Sequence, residues 1–133
     1  MTKDNTNDDL EEDIIAIYSL EDPRIEELGK VLSANYSREL YAITLKGEFN
    51  LKEIAKQISE TENPRLPNAT HHKDRLVRIG LIRYKKKLQR KKGHFLNYYK
   101  GKPFILVVPK EYTINAKNSI ELKKVFKEIM DGN

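Results

Sequence analysis

Cysteine is absent from this 133-residue chain, which removes disulfides, thiolate metal sites and cysteine nucleophiles together. No apolar run approaches the roughly 20 residues that a membrane-spanning helix needs. The first ten residues are polar and acidic, unlike a signal peptide. The expectation is therefore a cytoplasmic chain without a membrane role. Glycine-rich phosphate loops, a Ser-His-Asp arrangement and close carboxylate pairs on a predictable face are missing as well, so the chain reads as no enzyme and implies no cofactor. A further absence is more informative. Between Arg75 and Lys110 there is no Asp or Glu, yet this stretch holds 12 of the 25 Lys and Arg.

The carboxylates are elsewhere: 16 of the 20 precede Arg75, and the other four begin at Glu111. A formal net charge of +5 thus conceals a strongly basic block. Within that block, Tyr84, Phe95, Tyr98, Tyr99 and the run Phe104 to Val108 alternate with or follow the lysines. Such a mixture predicts a folded basic β-ribbon facing a polyanion, since a disordered tail would lack the branched and aromatic residues.

Three regions are expected: an acidic N-terminal extension with a short helix over 1–22, a central domain over 23–110, and a C-terminal amphipathic helix over 111–133. Leu10, Ile14, Ile17 and Tyr18 fall at helical spacing, which predicts a helix from Leu10 to Tyr18. Pro23 opens a second helix to about Leu32, and Asn35 is expected to cap a third over Tyr36 to Leu45, closed by Gly47. Asn50 and Glu53 form a capping-box pair ahead of Leu51, Ile54, Ala55 and Ile58. Residues 60–66 read as a turn, and Pro67 opens a fifth helix that Gly80 stops.

Beyond Gly80 the period changes from helix to strand. Leu81 to Leu88 and Phe95 to Tyr99 predict a hairpin with a cationic tip at 89–94, and Phe104 to Val108 predicts an edge or terminal strand between two prolines. Asn118 and Glu121 repeat the capping-box spacing before a last helix carrying Leu122, Val125, Phe126, Ile129 and Met130 on one stripe.

Several segments together resemble the ArsR-like winged-helix transcription regulators, in particular their archaeal branch. The matching residues are Arg24 to Ser33, Ser37 to Leu40, Leu51 to Ala55, Leu66-Pro67, His72, Leu76, Gly80 to Ile82 and Tyr98-Tyr99. The resemblance covers about residues 23–108 and implies an α+β, mainly helical fold: a winged helix-turn-helix with a basic hairpin wing and amphipathic helices at both ends. Three departures stand out. Residues 58–67 are longer than the family's compact turn, Lys73 replaces a usually apolar residue, and the Cys or spaced His and acidic ligands of metal-sensing members are lacking. Metal sensing is not carried over.

In such a fold the second motif helix enters the major groove, where each base pair presents its own donor and acceptor pattern, and the wing follows the neighbouring backbone. The resemblance places Arg65, Asn68, Thr70, His71 and Arg75 as base readers, Asn suiting adenine, Arg guanine and Thr the thymine methyl. Backbone contacts fall to Lys52 and Lys73 and to the wing cations Lys85, Lys86, Lys87, Arg90, Lys91 and Lys92. Tyr84, Tyr98 and Tyr99, at alternating spacing, read as sheet packing before base-stacking platforms. His71 and His72 point about 100° apart on a helix and do not converge on one ion; His72 is expected in the helix interface and His71 outside.

The stripe on the last helix, Leu122, Val125, Phe126, Ile129 and Met130, is read as a homodimer interface, by analogy with the family. Double-stranded DNA and a second copy of the chain are the implied partners, in the nucleoid, with any small-molecule effector unspecified. Half-sites would lie about one helical turn apart, roughly 34 Å. The alternative is a winged helix serving RNA or a nucleoprotein assembly without a specific operator.

Overall fold

A computed structural model of the chain describes residues 13–59, 66–89 and 93–132. Two compact units emerge, one of Glu26–Gly101 and one built from the flanking segments that end at Ile25 and resume at Lys102. Residues 60–65 of the turn expected over 60–66, residues 90–92 of the tip expected over 89–94, and residues 10–12 lie outside the described residues, and with them Arg65, Arg90, Lys91 and Lys92; Leu66 begins a helix instead of ending that turn.

Helix α1 (Arg24–Ser33) starts where the Asp22 carboxylate accepts the Arg24 backbone N–H at 2.8 Å. Glu26 and Glu27 in its first turn and Lys30 in its last complement the helix dipole. Helix α2 (Asn35–Thr44) departs from expectation at both ends. Its N-cap is Ala34, without a side-chain cap bond. The amide oxygen of Asn35 is taken by the Arg38 guanidinium, whose second arm donates to the Leu32 carbonyl at 2.7 Å. One arginine thus closes the α1–α2 corner and removes the expected cap. At the other end Leu45 stays in the right-handed region, so the helix stops at Thr44 without help from Gly47.

Strand β2 (Phe49–Asn50) leads into helix α3 (Leu51–Ser59). The capping box is reciprocal: the Glu53 N–H donates to Asn50 Oδ1 and the Asn50 N–H to Glu53 Oε1, both at 2.9 Å. Helix α4 (Leu66–Arg78) ends in a Schellman turn, with the Leu81 N–H on the Leu76 carbonyl and the Gly80 N–H on that of Val77, each at 3.0 Å. Gly80 occupies the left-handed position with φ 82°, which a side chain would strain. Leu28, Val31, Leu40, Ile43, Ile54, Ala55, Ala69, Leu76 and Ile79 bury the inner faces of α1 to α4, giving one hydrophobic core.

Strands β3 (Ile82–Gln89) and β4 (His94–Gly101) pair antiparallel from Ile82↔Gly101 to Gln89↔His94, and β2 joins the outer side of β4 in the order β2-β4-β3. Gly101 marks a close approach: a Cβ there would lie 2.6 Å from Thr44 Oγ1 and 3.2 Å from Tyr41 Cε1, so the root of the ribbon is pressed onto α2. Packed helices α2, α3 and α4 followed by a hairpin make this unit a winged helix-turn-helix of the α+β class.

In the flanking unit, Ile15–Ser19 form strand β1, where a helix was expected. Strand β5 (Phe104–Val108) pairs with it in parallel, Ile15 opposite Phe104 and Ser19 opposite Val108, and so belongs to a sheet separate from the wing. Ile14, Ile15, Ala16 and Tyr18 are buried, which a contiguous apolar run on a covered parallel strand explains better than a helical stripe. A single 3₁₀ turn (Lys110–Tyr112) precedes α5 (Thr113–Asn118) and α6 (Ile120–Asp131). Ser119 caps α6, its hydroxyl accepting the Leu122 N–H at 3.0 Å, in place of the expected Asn118 and Glu121 pair. Among the described residues no helix is long and apolar enough to cross a membrane.

Candidate nucleic-acid interface

Burial along α4 separates its residues by role. Ala69, Leu76 and the following Ile79 face the core, while Asn68 and His71 are exposed and Thr70 is half-buried. Exposed Arg78 continues the outer stripe two turns on, at spacings of three and four residues from His71 through Arg75. His72 turns inward as expected: its ring stacks on Tyr36 with centroids 4.7 Å apart, and Nδ1 lies 2.7 Å from the buried Ser37 hydroxyl. Burial there, with the neighbouring His71 and Arg75 charges, pushes the His72 pKa below its ordinary value.

Two of the helix cations are engaged within the protein. Arg75 Nε donates to Glu27 Oε2 at 2.6 Å and its side chain is only 16% exposed. That bond, with Arg78 a further 3.9 Å from the same oxygen, holds the Glu27 carboxyl below the usual carboxylate range. Lys73 is 17% exposed, 2.6 Å from the Asp74 carboxylate and 5.5 Å from the Tyr99 ring centre. Its long stem covers Tyr99, which accounts for a lysine at a position expected to be apolar.

On the wing, side chains alternate between faces. Lys85 and Lys87 share one face and both reach Glu48, at 3.2 and 2.6 Å, while Lys86 is exposed on the other. The ammonium of Lys87 also sits 5.1 Å from the Tyr98 ring centre. These bonds, that of Lys87 foremost, lower the Glu48 pKa and raise that of Lys87. Tyr84 and Tyr99 meet across the strands at 5.8 Å, as sheet packing predicts. Towards the tip, the cross-strand pair Leu88 and Phe95 is 56% and 62% exposed. Lys52 is exposed on α3, and so is Lys56 one turn later.

Among the candidate residues, Asn68 and His71 are thus exposed on α4 with Thr70 half-buried, and Lys85, Lys86 and Lys87 are exposed on the ribbon of the same unit, with Arg75 and Lys73 tied back. Sequence reasoning missed Glu27 and Glu48. Neither carries a local signal, because each meets its cations only after the chain has folded over 37 or more positions.

No family model matches the chain, and no curated protein matches it. Among solved structures it is similar to the solution structure of the homodimeric winged helix-turn-helix DNA-binding domain (fragment 1–100) of Mb0332 from Mycobacterium bovis, described as a possible ArsR-family transcriptional regulator. Identity is 14%, the match covers 98% of this chain and 87% of that one, and the TM-score is 0.47. At that distance the roles of individual residues rest on the geometry of this chain alone.

On the last helix, the stripe expected to dimerise splits in two. Phe126 packs on Phe104 within its own unit, centroids 4.7 Å apart, and Leu122 is half-buried. Val125, Ile129 and Met130 remain 50%, 53% and 42% exposed.

Proposed function

We propose that the protein is a sequence-specific, double-stranded-DNA-binding transcription regulator of the ArsR-like type that acts as a homodimer. The observation that carries this reading is a pair of exposed residues on α4, Asn68 and His71, with half-buried Thr70 between them in sequence, set in the same unit as an antiparallel ribbon bearing Lys85, Lys86 and Lys87. Asn68 can pair with an adenine edge and Thr70 can touch a thymine methyl. His71 adds a donor or acceptor according to its tautomer. Arg65 and the tip residues Arg90, Lys91 and Lys92 complete the proposed reader and clamp.

Arg75 is held to Glu27 through Nε and is only 16% exposed, so its first role in this reading is to brace α4 against α1. Lys73 likewise steadies the helix on Tyr99, and Lys52 supplies backbone charge from α3. Val125, Ile129 and Met130 supply the exposed part of the dimer surface, with Phe126 and Leu122 beneath them.

Selection from a pool of random duplexes tests the proposal. An inverted repeat should emerge, and Asn68→Ala should weaken binding to it by about 1 to 3 kcal/mol while leaving random duplex unaffected. Equal affinity for selected and scrambled duplex at moderate salt overturns sequence specificity. Preference for structured RNA in direct competition would favour the alternative, a nucleoprotein-assembly module.

A further inference from the structure

The flanking unit holds a hollow of about 450 Å³ lined by Asp13, Ile14, Ile15, Ile17, Arg24, Lys102, Lys117 and Lys123. Every one of these residues belongs to that unit. Among the described residues, four cations therefore surround one carboxylate over an isoleucine floor supplied by β1 and the residue before it.

The charges are not equally committed. Lys102 lies 3.1 Å from the Asp13 carboxylate, and Arg24 is held by Asp22 at 2.7 Å. Arg24 also stands 5.1 Å from the ring centre of buried Tyr18. It is thus fixed in direction from two sides, and its remaining N–H groups stay available, since a guanidinium carries five donors. Lys117 on α5 and Lys123 on α6 are exposed and have no ion pair within 4 Å among the described residues, although the Lys117 charge adds, after Arg24, to the lowering of the Asp22 pKa. Among the described residues, Asp13 and Asp22 against the four cations leave a surplus of two positive charges.

We infer that this hollow binds a phosphate monoester with a compact apolar body. A monoester is close to a dianion at neutral pH, its second pKa being about 6, and so matches the surplus charge. Asp22 takes the Nε and Nη2 side of Arg24, so the phosphate meets the remaining N–H groups on Nη1 and Nη2, while two flexible ammonium groups close on it as point charges. The apolar body lies on Ile14, Ile15 and Ile17. A volume in the range of about 300 to 1,000 Å³ is usual for small-molecule sites. The inference stands apart from DNA binding, because no residue of the winged unit takes part.

Calorimetric titration of the full chain without nucleic acid provides the test, using phenyl phosphate, inorganic phosphate and phenol as probes. Phenyl phosphate should bind about tenfold more tightly than inorganic phosphate through burial of the ring, and phenol should not bind measurably. The double variant Lys117→Gln, Lys123→Gln should weaken phenyl phosphate by tenfold or more, about the loss of one charged hydrogen bond or more. Lys124→Gln, which removes the same charge from α6 outside the hollow, should leave it unchanged. Since Lys117 and Lys123 are exposed, these changes spare the fold, which circular dichroism checks. Equal weakening by Lys124→Gln, equal affinity for inorganic phosphate, or no binding of phenyl phosphate overturns the proposal. Binding that arises only in a Glu11→Gln, Glu12→Gln variant also overturns it, because the hollow would then belong to the chain's own N-terminal carboxylates.

Discussion

Glu48 sits between two wing lysines, and replacing it with glutamine tests whether those lysines meet phosphate. Its carboxylate is 2.6 Å from the Lys87 ammonium and 3.2 Å from that of Lys85. Both lysines are a little under half exposed, so the pairs themselves add little to stability. Their larger effect is on binding. Each lysine–phosphate contact steepens the log–log dependence of affinity on salt by about 0.9. Releasing one or both lysines in Glu48→Gln should therefore steepen the slope by about 0.9 to 1.8. Between 50 and 200 mM salt, a fourfold change, the ratio of variant to parent affinity should then fall by roughly three- to twelvefold. Fluorescence anisotropy with a labelled random duplex across that range measures both slopes. An unchanged or shallower slope refutes the assignment of Lys85 and Lys87 to the phosphate clamp.

Three other perturbations address the frame around the site. Gly101→Ala forces a Cβ against Thr44 and Tyr41 and should destabilise the protein by about 1 to 3 kcal/mol in urea unfolding; an unchanged midpoint would show that the wing root has room to shift. His72 has a folded pKa below its unfolded value, so the unfolded chain binds more protons as pH falls below about 6.5. The stability it confers is complete above that pH and is lost as pH drops toward the folded pKa, so His72→Gln should flatten the stability profile between about pH 7 and 5. A slope that survives the substitution excludes His72 as its source. The double change Val125→Asp, Ile129→Asp should convert a dimer to a monomer in sedimentation velocity, and an unaltered sedimentation coefficient would remove α6 from the dimer interface.

Local signals were sufficient where the partner of each residue lay nearby in sequence. Apolar spacing announced α1, α3, α4 and α6, the Asn50 and Glu53 pair fixed the start of α3, and the lysine-rich alternation located the hairpin. Strand β1 was misread because Leu10, Ile14, Ile17 and Tyr18 satisfy helical spacing, whereas the unbroken run Ile14 to Tyr18 satisfies a covered strand equally well. Its hydrogen-bonding partner, β5, follows only at Phe104, beyond the reach of any periodicity. The same limitation hid the ion pairs of Glu27 and Glu48. Among the candidate readers, the exposure of Asn68 and His71 followed from their place in the helix, but the restraint on Arg75 depends on a carboxylate from α1.

The pairing of β1 with β5 also orders events in folding. A parallel pair cannot be closed by a tight turn, and here the chain from residue 20 to 103 must be spanned before the first bond between β1 and β5 forms. For a flexible loop of that size the length-dependent part of closure is about 4 kcal/mol. If the winged unit folds first, its compact body replaces most of that loop and the closure entropy shrinks accordingly. The winged unit is thus expected to be the autonomous folding nucleus, and the β1–β5 pair a late-forming clasp that registers whether the intervening chain has reached its native state.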